Sequence, residues 1–258
     1  MLKFAANLNW LFTEHPFLDR FGAAAAAGFR AVEFPSPYEH PATEIRARLD
    51  EHGLECILFN FPSGDRSKGD FGIACRPERV AEFREGVGRA IEYARMLGVP
   101  QVNVISGRVL EGDDPAALDR TLRDNLRYAA GELAAAGLDM LIEPINSVDV
   151  KDFAVPRADD GARLVRSLGL PNFALQLDLY HTAMMGDDGH AMLAAHRPIV
   201  RHIQFADAPG RGEPGSGKLD LARLFSDIDA GGYEGWVSAE YRPSGPTGQS
   251  LHWLPRAD

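Results

Sequence analysis

Short apolar runs with strand-like alternation are separated along the chain by longer stretches whose apolar residues recur at helical spacing. The first pattern predicts strands over residues 2–8, 31–34, 55–61, 101–106, 139–145, 173–180, 200–206 and 236–241. The second predicts helices over 17–27, 43–52, 77–97, 115–136, 158–168, 189–196 and 219–230. Boundary residues agree with this division. Thr43 is expected to open one helix, and Pro77 and Pro115 suit first-turn positions, where a missing N–H does no harm. Gly28, Gly53, Gly98, Gly137 and Gly169 each follow a helical run, where a left-handed residue ends the helix.

Eight strands alternating with helices predict an α/β fold, a closed (β/α)8 TIM barrel, rather than an open sheet. An open nucleotide-binding sheet would carry a glycine-rich turn after its first strand, and Asn7-Leu8-Asn9-Trp10 is not one. No linker or shift in composition divides the chain, so residues 1–258 read as one domain. The longest irregular stretches, 62–76 and 147–157, follow the third and fifth strands. Both are expected to project from the C-terminal face of the barrel, where substrate loops belong.

Near the ends of four strands in the second half stands one metal-seeking oxygen side chain each: Glu143, Asp178, Gln204 and Glu240. Alternation sets Leu175, Leu177 and Leu179 on one face and Gln176 with Asp178 on the other; likewise His202 and Gln204 share a face, as do Ser238 and Glu240. All four oxygen-bearing side chains can therefore face the barrel interior near its top. Carboxylates are costly on apolar strands unless they are paired or bound to a cation. Three carboxylates and an amide oxygen suit a hard divalent metal, Mg²⁺ or Mn²⁺, whereas zinc favours imidazole or thiolate. The alternative is a set of ion-paired strand ends without a metal.

The 258 residues are 45% hydrophobic and 25% charged, ordinary for a soluble globular protein, and no stretch is long enough to span a membrane. A formal charge of −10 and the absence of any dense Lys/Arg run argue against nucleic acid as a partner. Cys56 and Cys75 form no C-x-x-C pair, which fits a reducing, cytoplasmic location and offers no thiolate cage. Gly212 to Lys218 fits the phosphate-loop spacing G-x-x-x-x-G-K, but Leu219 stands where the Mg²⁺-binding Ser or Thr belongs, so nucleotide binding is not expected. Helical faces rich in Ala and Leu permit a homo-oligomer.

Several motifs resemble the hydroxypyruvate isomerase family of xylose-isomerase-like barrels. They include Ile142-Glu143-Pro144-Ile145-Asn146, Gln176-Leu177-Asp178-Leu179-Tyr180-His181 and Ala239-Glu240-Tyr241-Arg242-Pro243. His202-Ile203-Gln204-Phe205-Ala206-Asp207-Ala208-Pro209-Gly210-Arg211 continues the resemblance, as do Gly28-Phe29-Arg30-Ala31-Val32-Glu33-Phe34 and the run from Glu85 to Ala94. The resemblance implies metal binding by Glu143, Asp178, Gln204 and Glu240, with Glu143 and Glu240 as the acid/base pair. It also implies substrate contacts from His181, three residues after Asp178, and Arg211, seven after Gln204. The chain departs from the family pattern at Val148, where an Arg is usual, through the loop from Ser147 to Val155, and at Lys218, where an acid is usual.

The implied reaction interconverts a small 2-keto-3-hydroxy acid and its aldehyde isomer through an enediolate, as in hydroxypyruvate to tartronate semialdehyde or the 2-oxotetronate equivalent. Arg211 is the first choice to hold the substrate's carboxylate, ahead of Arg242 and Lys218. Asn60, Tyr38, Phe61 and Trp253 are candidate pocket walls. A ketose 3-epimerase on the same metal site and a non-catalytic sugar-acid binding protein are the alternatives. A DNA-repair endonuclease of the same barrel type would want a His-rich zinc cluster and a basic groove, and the sequence has neither.

Overall fold

A computed structural model describes residues 2–255. All eight expected strands form: β1 (Lys3–Asn7), β2 (Ala31–Glu33), β3 (Glu55–Asn60), β4 (Gln101–Val104), β5 (Asp139–Ile142), β6 (Phe173–Asp178), β7 (Val200–Phe205) and β8 (Trp236–Ala239). Each pairs in parallel with the next, and β8 returns to β1 to close the barrel. The helices are α1 (Arg20–Ala26), α2 (Ala42–His52), α3 (Val80–Leu97), α4 (Pro115–Ala135), α5 (Ala158–Leu168), α6 (Leu179–Met184), α7 (Gly189–His196) and α8 (Leu221–Ala230).

The boundaries show where local signals held and where they did not. All five expected terminating glycines take a positive φ, Gly169 at 60° after α5 for one. Pro115 stands in the first turn of α4 behind Asp114, whose side chain accepts from the Ala116 N–H. Thr43 does not cap α2; the helix starts one residue earlier, behind Pro41. Strand pairing stops just before Glu143 and Glu240, and residues 179–180, expected to extend β6, open α6 instead. The cause is Asp178, whose Oδ1 accepts from the N–H groups of Tyr180 (2.7 Å) and His181 (3.3 Å) and turns the strand end into a helix cap.

Outward-facing Leu175, Leu177, Ile203, Phe205, Val237 and Ala239 pack beneath the helices. On α4, Leu118, Leu122, Leu126, Ala129 and Leu133 form the buried stripe, each full burial of a Leu contributing about 1.5–3 kcal/mol. The inward face is graded instead. Ala5, Ala31, Leu141 and Ala174 form an apolar floor against the half-buried Trp236. Above them, by strand alternation, come buried Asn7, Glu33, Asn103, Gln176, His202 and Ser238, and then Glu143, Asp178, Gln204 and Glu240 at the top.

No helix among the described residues is long and apolar enough to cross a membrane. Cys56 and Cys75 are buried free thiols. The 62–76 and 147–157 loops do meet above the barrel. Gly72 bridges to Ser106 after β4, and Arg108 bridges to Phe153.

The seam at Gly72 has no room for a side chain. Its φ is +88°, and a Cβ there would sit 2.3 Å from the Ile105 carbonyl oxygen. Gly72→Ala is expected to cost about 1–3 kcal/mol in thermal or urea denaturation. An unchanged midpoint would show that the seam yields freely.

Candidate active site

Glu33 organises the layer under the cleft. Its Oε1 accepts from Asn7 Nδ2 (2.8 Å) and Gln204 Nε2 (2.6 Å), and its Oε2 meets His202 Nε2 at 2.6 Å. Burial opposes its charge, but His202 and these hydrogen bonds outweigh burial and hold the carboxyl below its usual range. The anchored Gln204 nitrogen fixes which end of that amide is the carbonyl. Gln204 Oε1 in turn accepts from Gln176 Nε2 at 2.6 Å. A carbonyl oxygen has two lone pairs, so this bond leaves one for another partner.

Above this layer, Glu143 Oε2 accepts from Asn103 Nδ2 (3.1 Å), and Asn103 Nδ2 also donates to Asn60 Oδ1 (3.0 Å). Glu240 Oε1 accepts from the Trp10 indole N–H at 3.1 Å. Each glutamate thus has one oxygen tied to the wall. Burial and the neighbouring charges of Glu240 and Asp178 push the Glu143 carboxyl well above its usual range. Burial also pushes Glu240 up to about 8, Arg211 opposing the shift and Asp178 adding to it.

Arg211 is the cation among these acids. It lies 2.8 Å from Glu240 Oε2, out of line for a hydrogen bond, and 3.4 Å from Asp178 Oδ2. The Trp10 and Tyr180 rings flank its guanidinium at 4.7 and 4.9 Å. Against burial, Glu240, Asp178 and Glu143 hold it firmly protonated. The expected carboxylate receptor for substrate is therefore engaged by the site's own carboxylates.

His181 has an assignable tautomer. Asn146 Oδ1 accepts from the backbone N–H groups of Val148 (3.0 Å) and Asp149 (2.8 Å), so its Nδ2 must face the other way. There it meets Asp149 Oδ2 at 3.0 Å and His181 Nδ1 at 2.5 Å. Nδ1 is then the acceptor and Nε2 carries the proton, an assignment made from the shorter bond. That leaves the 3.4 Å approach of Arg211 Nη1 to Nε2 a contact between two donors and not a hydrogen bond. Burial pushes the imidazole down to about 4, so the ring is neutral. Its Nε2–H faces Asp178 Oδ2 (3.5 Å) and Glu143 Oε1 (3.7 Å). Glu143, Asp178 and His181 offer three atoms within 4.8 Å of one another, but a protonated Nε2 donates rather than ligates.

The residues present fit a hard divalent cation. Glu143, Asp178 and Glu240 converge with a single close guanidinium, leaving two negative charges uncompensated when all are ionised. Glu240 Oε2 is buried without a hydrogen bond, Gln204 keeps a lone pair free on its carbonyl oxygen, and carboxylate and amide oxygens are the donors a hard cation takes. Each of the four predicted oxygen-bearing side chains is buried at the barrel's mouth.

The cleft has a volume of about 540 Å³ and is lined by Asn60, Glu143, His181, Arg211 and Glu240 from the predicted set. It is also lined by Trp10, Arg66 and Phe71, which sequence reasoning missed. Trp10 lies three residues past the end of β1, in the turn that follows the strand. Arg66 and Phe71 lie in the irregular 62–76 loop, whose sequence carries no periodic signal. Arg242 also lines the cleft. Tyr38, Phe61 and Trp253 do not: Tyr38 packs on Phe59 and Tyr93, Phe61 on Phe83, and Trp253 on Phe4 and Phe205. Lys218 is exposed and outside the cleft lining. The phosphate-loop look-alike is filled from within. Asp207 Oδ1 accepts from Ala208 and Leu219 N–H groups, and its Oδ2 from Gly215, each at 2.9 Å.

Carboxyl crowding sets the sign of a pH effect. Glu143 and Glu240 retain protons in the folded, metal-free protein at pH values where the unfolded chain has lost them. Their contribution is full below the ordinary value of 4.5 and is lost as pH rises through about 8 for Glu240. In EDTA, the double variant E143Q/E240Q is expected to gain stability on the parent protein as pH rises across that window. Urea denaturation curves that stay parallel with pH would refute the crowding.

The family model described as xylose isomerase-like TIM barrel matches residues 21–257. A 2-oxo-tetronate isomerase from Cupriavidus necator is 44% identical over 254 residues, 98% of each chain. A hydroxypyruvate isomerase from Escherichia coli K12 is 41% identical, again over 98% of each chain. A solved chain from Brucella melitensis, described as a family 2 AP endonuclease, is 40% identical with a TM-score of 0.96 over 98% of both chains. The chain belongs to the xylose isomerase-like TIM-barrel family and, within it, is an isomerase of the hydroxypyruvate isomerase group.

Proposed function

We propose that this chain is a divalent-metal-dependent isomerase of a small 2-keto-3-hydroxy acid, converting hydroxypyruvate to tartronate semialdehyde or acting on the four-carbon 2-oxotetronate. Full-length similarity to relatives named for those two activities supports the substrate class. The observation that carries the chemistry is the pair Glu143 and Glu240, facing one cleft from the ends of β5 and β8, with both carboxyls raised by burial so that either can carry a proton.

Glu143, Asp178, Glu240 and the Gln204 amide oxygen would hold Mg²⁺ or Mn²⁺, which supplies Lewis-acid polarisation of the substrate's keto and hydroxyl oxygens. One glutamate, ionised, takes a proton from C3 of the acid. The enediolate that results has its electron pair shared between C2 and C3. The other glutamate, protonated, delivers a proton to C2, while the hydroxyl proton passes from the C3 oxygen to the C2 oxygen. The neutral His181 Nε2–H and the Arg211 guanidinium, both on the cleft wall, supply hydrogen bonds to the developing oxyanion. Asn60, beside Glu143 through Asn103, orients a substrate hydroxyl.

Glu143→Gln and Glu240→Gln are each expected to lower kcat on hydroxypyruvate at least about 100-fold while circular dichroism stays unchanged. Chelation with EDTA should abolish turnover, and Mg²⁺ or Mn²⁺ should restore it. Activity indifferent to chelation would remove the metal from the mechanism. Turnover of neutral ketoses in place of keto acids would replace this reading with a ketose 3-epimerase.

A further inference from the structure

An anionic substrate entering a cleft walled by Glu143 and Glu240, with Asp178 close behind, needs fixed positive charge on the wall opposite them. Three guanidinium groups line the cleft: Arg66, Arg211 and Arg242. Arg211 is engaged by Glu240 and Asp178 and by the backbone oxygen of Glu240. Arg242 is exposed, its guanidinium 5.6 Å from the Trp10 ring and its backbone N–H donating to the Arg211 carbonyl oxygen at 2.7 Å. Arg66 is exposed like Arg242, and differs from it in a closer ring partner and in the braced turn that carries it. Among the described residues no carboxylate lies within 4 Å of it, yet its charge acts on Glu143 and Glu240 across the cleft.

Its guanidinium lies 4.3 Å from the Phe71 ring centroid. Stacking on an aromatic ring uses the face of a guanidinium and leaves its N–H edge for an acceptor. The turn that carries it is braced. Asp65 Oδ1 accepts from Ser67 N at 2.9 Å, Asp70 Oδ2 accepts from Asp65 N at 2.7 Å, and Arg79 Nη1 holds Asp70 at 2.7 Å. Lys68, the other cation of the turn, is paired with Asp65 at 3.2 Å. Gly72 then pins the end of the loop against Ser106. Arg66 is therefore a positioned cation whose hydrogen-bonding edge has no partner among the described residues, on the wall of a cleft that must admit an acid.

We propose that Arg66 receives the substrate's carboxylate and makes the site select keto acids over neutral ketoses of the same length. The assignment rests on the reading of the cleft as a keto-acid isomerase. A planar fork binding a carboxylate through two N–H groups would fix the acid end away from Glu143 and Glu240 and leave C2 and C3 between them.

The test is steady-state kinetics of the Mn²⁺-loaded enzyme on hydroxypyruvate and on dihydroxyacetone, which replaces the carboxylate by a hydroxymethyl group. Arg66→Gln is expected to raise KM for hydroxypyruvate about 10- to 100-fold, with a smaller change in kcat, and to erode the preference over dihydroxyacetone. Arg66→Lys should recover part of the loss, since it keeps the charge without the fork. A KM for hydroxypyruvate within twofold of the parent in Arg66→Gln overturns the assignment, as does a loss found in Arg242→Gln instead. Parent enzyme that turns over neither hydroxypyruvate nor 2-oxotetronate overturns the functional reading, and the role of Arg66 with it.

Discussion

Closing eight parallel strands forces their C-terminal ends into one ring, and the charge repulsion this creates governs the rest of the site. Two like charges about 4 Å apart repel by roughly 4 kcal/mol at an effective dielectric of about 20. Glu143, Asp178 and Glu240 stand in that situation, with Arg211 as their close cation. Burial together with crowding raises the two glutamates, the acids keep Arg211 charged although it is buried, and burial leaves His181 neutral. A group of acids that could share protons with each other is also a group that can exchange them with a carbon acid. The property that costs stability is the one that does the chemistry.

The layer beneath resolves the opposite problem. Glu33 is as buried as the acids above it, yet it keeps its charge through His202, Asn7 and Gln204. These partners come from β1 and β7, so one carboxylate joins three strands at mid-barrel. It also orders the Gln204 amide, and Gln176 steadies the carbonyl end. The hydrogen bonds that converge on Glu33 form a rigid base for the groups above, whose bonds must stay available.

Much of this was legible in the sequence, because period-two alternation and strand position decide which side chains face inward. Glu143, Asp178, Gln204 and Glu240 follow from those two facts alone, and the structure buries all of them at the mouth. What depends on long-range contact was not legible. Trp10 meets Glu240 across 230 residues, and Arg66 reaches the cleft from a loop that is bridged to the segment after β4 at Gly72. The aromatic residues misread as pocket walls, Tyr38, Phe61 and Trp253, fail for a related reason: an aromatic near a strand end serves the helix layer as readily as the cleft. Thr43 has the right chemistry for a cap, but the helix begins behind Pro41, before it could act.

Asp178 answers to two masters. One oxygen holds the first turn of α6, which carries His181, and the other faces the cleft. An alanine scan across this site would therefore misattribute its effect, because removing the side chain unwinds the donor's scaffold together with the anionic ligand. Asparagine separates the two losses: its carbonyl caps a helix about as well as aspartate does, while the negative charge is gone. Evolution of this site toward other chemistries meets the same restriction, and position 178 is the strand end least free to drift.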